Sequence, residues 1–236
     1  MNITLEVNSV EKSYGYSQVI NHCSFKMREG EIYGLLGING AGKTTLMKMI
    51  LGLQQTDRGS IRVLGRETGV DTEYLSDIGS MIEIPVFYEH LNAVEILSMH
   101  LALMGKKGNI TETLAMVGLE NAGKKCVSRY SLGMRQRLGI ARAVIHGPKL
   151  LILDEPLNGL DPVAITEMRE LLRNLAARGV SVLLSSHMVG EIRHTADRIG
   201  ILSDGYIKQE FSVAEQEAEC GENFEDYVIN YMRRKG

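Results

Sequence analysis

Polar and apolar positions alternate over Ile3-Thr-Leu-Glu-Val7, and an apolar-rich run returns from Val19 to Met27 before Arg28-Glu-Gly30. Short strands broken by turns are the pattern of an antiparallel layer. Glu31-Ile-Tyr-Gly-Leu-Leu36 is a short apolar run suited to a buried parallel strand, and Thr45 to Leu51 has helical composition with Gly52 as its stop. Asp57 to Ser60 reads as a turn, Ile61 to Leu64 as a strand closed by Gly65, and residues 66–76 as a polar linker. Ile78 to Ile82 predicts another strand, with Glu83 at its end and Pro85 two residues later, which fits an exit from the core into a different subdomain. Helices are predicted from Asn92 to Met104, from Thr111 to Val117 ahead of Gly118, and from Ser131, a candidate N-cap, to about Ile145 ahead of Gly147-Pro148. Lys149 to Leu153 and Val180 to Leu184 are almost wholly apolar, as strands buried on both faces are, and Pro162 to Ala177 between them opens as a helix with proline in its first turn. Asp197 to Ser203 and Tyr206 to Gln209 flank the turn Asp204-Gly205. Beyond an acidic stretch from Glu210, Phe224, Tyr227, Val228 and Tyr231 fall at helical spacing and predict a short amphipathic helix docked on the core.

Composition narrows the class. A chain of 236 residues buries roughly 70–75% of its unfolded surface, so a single globular domain, with or without a subdomain, needs no covalent staples. A net charge of −3 argues against a general nucleic-acid binder, which carries a basic stripe. Cys23, Cys126 and Cys220 lie far apart without metal-ligand spacing and read as reduced thiols of a cytosolic protein. The start of the chain lacks a basic region followed by an apolar run, and no stretch approaches the roughly 20 apolar residues of a membrane span. Any membrane role is therefore expected to come through a partner.

The chemistry centres on Gly37 to Thr45, GINGAGKTT, placed between a predicted strand and a predicted helix. Glycines at 37, 40 and 42 let the backbone around Asn39 and Ala41 curl until successive N–H groups point inward as an anion nest, and the following helix adds its positive end. Lys43 supplies a mobile cation for the β- and γ-phosphates of a triphosphate, Thr44 a hard hydroxyl ligand for Mg²⁺, and Thr45 a reach to the α-phosphate. Asp154, at the tip of an apolar strand, is placed to hold the Mg²⁺ hydration shell near Thr44. Glu155 next to it has the character of a general base that polarises an attacking water. His187, directly after a buried strand, can hydrogen-bond a γ-phosphate, although a lone histidine more often plays a structural part. Tyr14 and Tyr16 flank Gly15, where a ring either plugs the turn or presents its face to a base, a stacking worth about 1–3 kcal/mol.

With these residues in place, residues 3–209 resemble the ATP-binding subunits of ABC transporters. GINGAGKTT matches the family's Walker A motif, Leu150-Leu-Ile-Leu-Asp154 its Walker B, Glu155 its catalytic glutamate, Leu157-Asn-Gly-Leu-Asp161 its D-loop and His187 its switch histidine. Tyr14 falls where the family's adenine-stacking aromatic lies. Tyr130-Ser-Leu-Gly-Met-Arg-Gln-Arg137 looks like the family's signature LSGGQ, keeping Ser131 and Gly133 but with Leu132 at the first glycine and Met134 at the glutamine. Glu83 stands where the family's Q-loop glutamine is expected, and a carboxylate there can ligate Mg²⁺. Together with Ile-Glu-Ile-Pro-Val-Phe-Tyr88, these departures make the chain similar to ATPases of bacterial exporters for peptide antibiotics, of the bacitracin and lantibiotic self-protection type.

The resemblance implies an α/β fold with a P-loop core sheet, an N-terminal antiparallel β layer and a helical subdomain over about residues 84–146, all within one ATP-binding domain at residues 3–231. It also implies a head-to-tail dimer that sandwiches two ATP molecules between Walker A of one chain and the signature of the other, closing on ATP binding and opening on hydrolysis. That cycle would drive a separate membrane permease, holding this cytoplasmic subunit on the inner face of the membrane. The competing expectation is a soluble ABC protein acting on ribosomes, DNA or cluster assembly, whose members carry paired domains or long coiled-coil insertions absent from this sequence.

Overall fold

The computed structural model describes residues 2–70 and 72–233. Two strands of 12 residues, β1 (Ile3–Tyr14) and β2 (Ser17–Arg28), form a hairpin around Gly15-Tyr16. Both are longer than the sequence pattern indicates, because register shifts between Val7 and Val10 and between Val10 and Lys12 interrupt the alternation that marks a strand. Ser9 and His22, with φ of 46° and 44°, lie in the same irregular stretch. The core then begins with β3 (Ile32–Leu36) and α1 (Lys43–Ile50).

The expected turn at Asp57–Ser60 is instead largely strand, since β4 runs from Arg58 to Val63 and pairs with β1. Gly59, at φ 78°, sits where a β-carbon would lie 2.4 Å from the Ser9 carbonyl oxygen, so this glycine marks a bulge with close backbone approach and not a reversal. The stretch read as a linker holds a two-residue strand β5 (Arg66–Glu67) and a 3-10 turn over Glu73–Asp77; Asp71 within it lies outside the described residues.

Strand β6 (Ile78–Met81) is followed by α2 (Ala93–Met104), α3 (Ile110–Met116) and α4 (Leu132–Val144). Each of these helices is capped by a side chain that satisfies a free N–H of the first turn: Asn92 in a reciprocal capping box with Glu95, Asn109 toward Glu112, and Ser131 toward Met134. Next come β7 (Leu150–Leu153), α5 (Pro162–Ala177) and β8 (Ser181–Ser186). The chain ends in α6 (Val189–Arg193), β9 (Arg198–Ser203), β10 (Tyr206–Ser212), α7 (Val213–Cys220) and α8 (Phe224–Arg233). Helices α6 and α7 were not anticipated: α6 is five residues long, and α7 has the acidic sequence VAEQEAEC, whose apolar positions are too few to show a period. Its start is fixed by Ser212, which accepts from the Glu215 N–H. In α8, Phe224 and Val228 are fully buried, each contributing about 1.5–3 kcal/mol to docking on the core.

The antiparallel sheet has the order β2-β1-β4-β5 and the main sheet β10-β9-β3-β8-β7-β6, parallel except for β10 at its edge. Alternation across the parallel strands divides the interior in two. Tyr33, Leu35, Leu150, Ile152 and Leu183 face α1 and the antiparallel sheet, and Ile32, Leu36, Leu151, Leu153, Val182 and Leu184 face α5, α6 and α8. Because every parallel strand is covered on both faces, its polar chemistry is displaced to the strand tips. The C-terminal tips of β3, β7, β8 and β6 deliver Gly37, Asp154-Glu155, His187 and Glu83 to the same edge of the sheet.

Candidate functional site

The loop after β3 is shaped by close approaches. A β-carbon on Gly37 would lie 2.6 Å from the Leu202 carbonyl oxygen, and one on Gly42, at φ 103°, would lie 2.7 Å from Ile20 Cδ1, so only glycine fits at either position. Gly37 N–H donates to Ser186 and Ala41 N–H to Ile38, which curls the loop while Asn39 and Gly40 stay exposed. Helix α1 starts at Gly42 with no side-chain cap and no acidic residue in its first turn. The N–H groups there stay available to an anion, helped by the positive end of the helix. Thr45, half-buried, sits in that first turn.

Lys43 is folded back over this loop and buried. Its Nζ donates to the carbonyls of Gly37 at 2.6 Å and Ile38 at 3.3 Å and lies 3.1 Å from Glu155 Oε1. The other oxygen, Glu155 Oε2, accepts from His187 Nδ1 at 2.9 Å, which fixes the ring's proton on Nδ1 and leaves Nε2 as the free ring nitrogen. Glu155 Oε1 is buried and, despite its ion-pair distance to Lys43, has no aligned hydrogen-bond donor. It is an acceptor still open to one. Glu155 also has φ 48°, a left-handed backbone that costs a non-glycine residue about 1–3 kcal/mol and persists only where surroundings impose it.

Ser185, which sequence reasoning missed, is what imposes it. Its hydroxyl donates to Asp154 Oδ1 at 2.6 Å and accepts from the Glu155 N–H at 2.8 Å, tying both carboxylate residues to the tip of β8. The only signal was a serine ending an apolar run two residues before His187, a weak mark because serines end many strands. Asp154 uses its other oxygen, Oδ2, to accept from Thr44 Oγ1 at 2.7 Å. Behind this layer Glu191 is buried near Ser186, and burial pushes its carboxyl up against the opposing pull of Arg169 and His187.

The structure thus brings together Lys43, Thr44, Asp154, Glu155 and His187. Glu83 stands at the rim, its φ at 61°, with its carboxylate 2.7 Å from Lys48 Nζ of α1. Tyr14 is partly exposed at the end of β1, 5.8 Å from Lys12 Nζ to the ring centroid. Ser131, Gly133 and Asp161 form a separate group around a cavity of about 340 Å³. The hydroxyl of Ser131 caps α4 through Met134 N–H, and Asp161 Oδ1 caps α5 by accepting from Val163 and Ala164. Leu132, where the signature departs from the family, lies over Gly159: a β-carbon there would be 2.9 Å from Leu132 Cδ2.

Thr44 and Asp154 offer two hard oxygens side by side, and among the described residues no group of three or more acidic, histidine or cysteine side chains gathers as a metal cage. That suits Mg²⁺, which dehydrates reluctantly and takes one or two protein oxygens alongside phosphate and water.

A glycine-walled loop into an uncapped helix, a buried lysine and a carboxylate pair at the next strand tip but one define a P-loop nucleotide-binding protein. Within that class the chain belongs to the ABC transporter family, whose pattern matches residues 20–158. It is 44% identical over 214 residues to the bacitracin transport ATP-binding protein BcrA of Bacillus licheniformis, covering 89% of this chain and 70% of that one. It is 40% identical over 229 residues to the lantibiotic transport ATP-binding protein SrtF of Streptococcus pyogenes, covering 97% of both. A solved ATP-binding subunit of an ABC transporter superposes with a TM-score of 0.87 at 29% identity, over 98% of this chain and 100% of that one.

Proposed function

We propose that this chain is the ATP-hydrolysing subunit of an exporter, that it energises a separate membrane permease, and that the cargo is a peptide antibiotic of the bacitracin or lantibiotic kind. The observation that carries the catalytic part is the Glu155 carboxylate: one oxygen is held by His187, and the other is buried and open to a donor. That is the disposition of a general base awaiting a water. The relatives named for bacitracin and lantibiotic transport support the cargo class.

In this reading, residues 3–231 form one ATP-binding domain, with α2 to α4 in a helical subdomain spanning about residues 84–146. The backbone N–H groups between Gly37 and Thr45 that are not spent on Ser186 and Ile38 bind the phosphates, Lys43 leaves Glu155 for the β- and γ-phosphates, and Tyr14 stacks on the base. Thr44 and Asp154, with Glu83 at the rim, would hold Mg²⁺, which would supply neutralisation of phosphate charge. Glu155 takes the proton of the attacking water, and His187 keeps Glu155 oriented and offers Nε2 toward the γ-phosphate. Ser131, Gly133 and Asp161 face the nucleotide of a second copy of the chain in a head-to-tail homodimer. The permease holds the subunit on the inner face of the membrane; no described helix is itself long and apolar enough to cross one.

Co-expression with a candidate permease, a membrane protein encoded by a neighbouring gene where one is found, tests the whole reading. The subunit is expected to sediment with membranes only when that protein is present, and the pair to raise resistance to a peptide antibiotic. Sedimentation with ribosomes regardless of the membrane protein would sink the export reading.

Ser185 provides a narrower test. Ser185→Ala strips a hydrogen bond from Asp154 and from the Glu155 N–H, and leaving such buried groups unsatisfied costs about 1–3 kcal/mol. With Glu155 free to leave its left-handed conformation, kcat is expected to fall about tenfold or more. The ATP KM should change far less. Steady-state kinetics that show an altered KM and an intact kcat would contradict this assignment.

A further inference from the structure

We propose that Lys48 is a positioning residue whose charge makes a carboxylate at Glu83 compatible with nucleotide binding. This rests on the nucleotide-site reading above and concerns a residue outside the phosphate loop itself.

Glu83 lies two residues past β6, at φ 61°, with a side chain 65% exposed. A carboxylate so exposed has the freedom to turn into water, yet it lies 2.7 Å from Lys48 Nζ. Lys48 projects from the last turn of α1, the helix whose first turn carries Lys43 and Thr44. Lys48 donates this hydrogen bond to the carboxylate, and the contact holds its pKa above the ordinary lysine value against the opposing effect of partial burial.

The charge inventory explains why a cation is needed there. Asp154, Glu155 and Glu83 place three carboxylates around a site meant for a polyanion, and Glu83 is the one at the mouth, outside the contacts that Lys43 makes in the loop. A neutral residue at position 83 would leave the phosphates facing two carboxylates, whereas Glu83 adds a third, at the mouth. Lys48 offsets it from a rigid helix, so the compensation does not depend on a mobile side chain from another element. The pair also ties α1 to the first residues leading into α2. As an exposed ion pair it contributes little to stability, so its effect belongs in ligand binding and not in melting temperature.

A double-mutant cycle decides the matter. Lys48→Gln, Glu83→Gln and the double variant are each combined with Glu155→Gln to suppress turnover, and binding of a fluorescent ATP analogue with Mg²⁺ is titrated, with melting temperatures recorded without nucleotide. Lys48→Gln is expected to weaken binding about fivefold or more when Glu83 is present and by less than about twofold in the E83Q background. Melting temperatures should agree across the set. Equal weakening in both backgrounds means that Lys48 acts on the phosphates directly, and no weakening in either means an ordinary surface pair; each overturns the proposal. Absence of analogue binding even with Lys48 and Glu83 intact overturns the nucleotide-site reading, and this one with it.

Discussion

Glu155→Gln is expected to leave ATP binding in place and to lower turnover by roughly 10²–10⁴-fold, the usual worth of a positioned general base. The amide preserves the volume of the side chain in a pocket bounded by Lys43 and His187, but it replaces one carboxylate oxygen with a donor. Whichever way the amide turns, the charge that would draw a proton from water is gone, and so is the acceptor for His187 or for the incoming donor. With binding intact and hydrolysis stalled, the nucleotide-closed dimer should accumulate. Size-exclusion chromatography with Mg-ATP is expected to shift the variant from monomer to dimer, while the unmodified chain passes through that state transiently. A variant that stays monomeric at saturating Mg-ATP would count against the sandwich of two chains, and one that retains wild-type turnover would remove Glu155 from the chemistry.

Lys43→Ala is expected to abolish measurable ATPase activity, chiefly through nucleotide affinity. The side chain is 6% exposed and makes two carbonyl contacts and one ion pair, so its loss removes the phosphate loop's own cation and leaves Glu155 Oε1 without its neighbour. Charge-assisted hydrogen bonds contribute about 1.5–3 kcal/mol each, so the affinity for ATP should drop by roughly 10- to 100-fold. Direct titration with a fluorescent nucleotide, alongside melting in the absence of nucleotide, separates this from the loss of stability that follows from stripping a buried carboxylate oxygen of its partner. Wild-type turnover in this variant would show that the loop after β3 is not where ATP is hydrolysed.

The parts of the fold that could be read in the sequence are those where one local rule dominates. Helix α5 begins and ends at the predicted residues because Asp161 and Pro162 fix its start and its apolar face repeats without interruption. Strands β3, β7 and β8 are legible because burial on both faces leaves unbroken apolar runs. The hairpin of β1 and β2 is blurred because bulges shift the phase of the alternation, and Gly59 misleads because one residue type serves both turns and bulges. Among site residues, those held in a fixed spacing around GINGAGKTT and Leu153-Asp154-Glu155 stand out, whereas Ser185 acts through a contact 31 residues away from Asp154 in the chain. Nor does spacing show that Lys48 reaches Glu83.

The position of β3 between β8 and β9 bears on how the protein is made. Its ladder partners are Ser181–Ser186 and Arg198–Ser203, both from the last quarter of the chain. A ribosome therefore completes the phosphate loop long before either strand that flanks it exists, and at about 5–20 residues per second the wait is on the order of ten seconds. During that interval the apolar segment Ile32 to Leu36 lacks the partners that flank it on both edges in the folded protein. ATP is expected to stabilise only a chain that reaches Ser203, because a fragment ending before Ser181 contains every residue of GINGAGKTT but neither of the strands that flank β3.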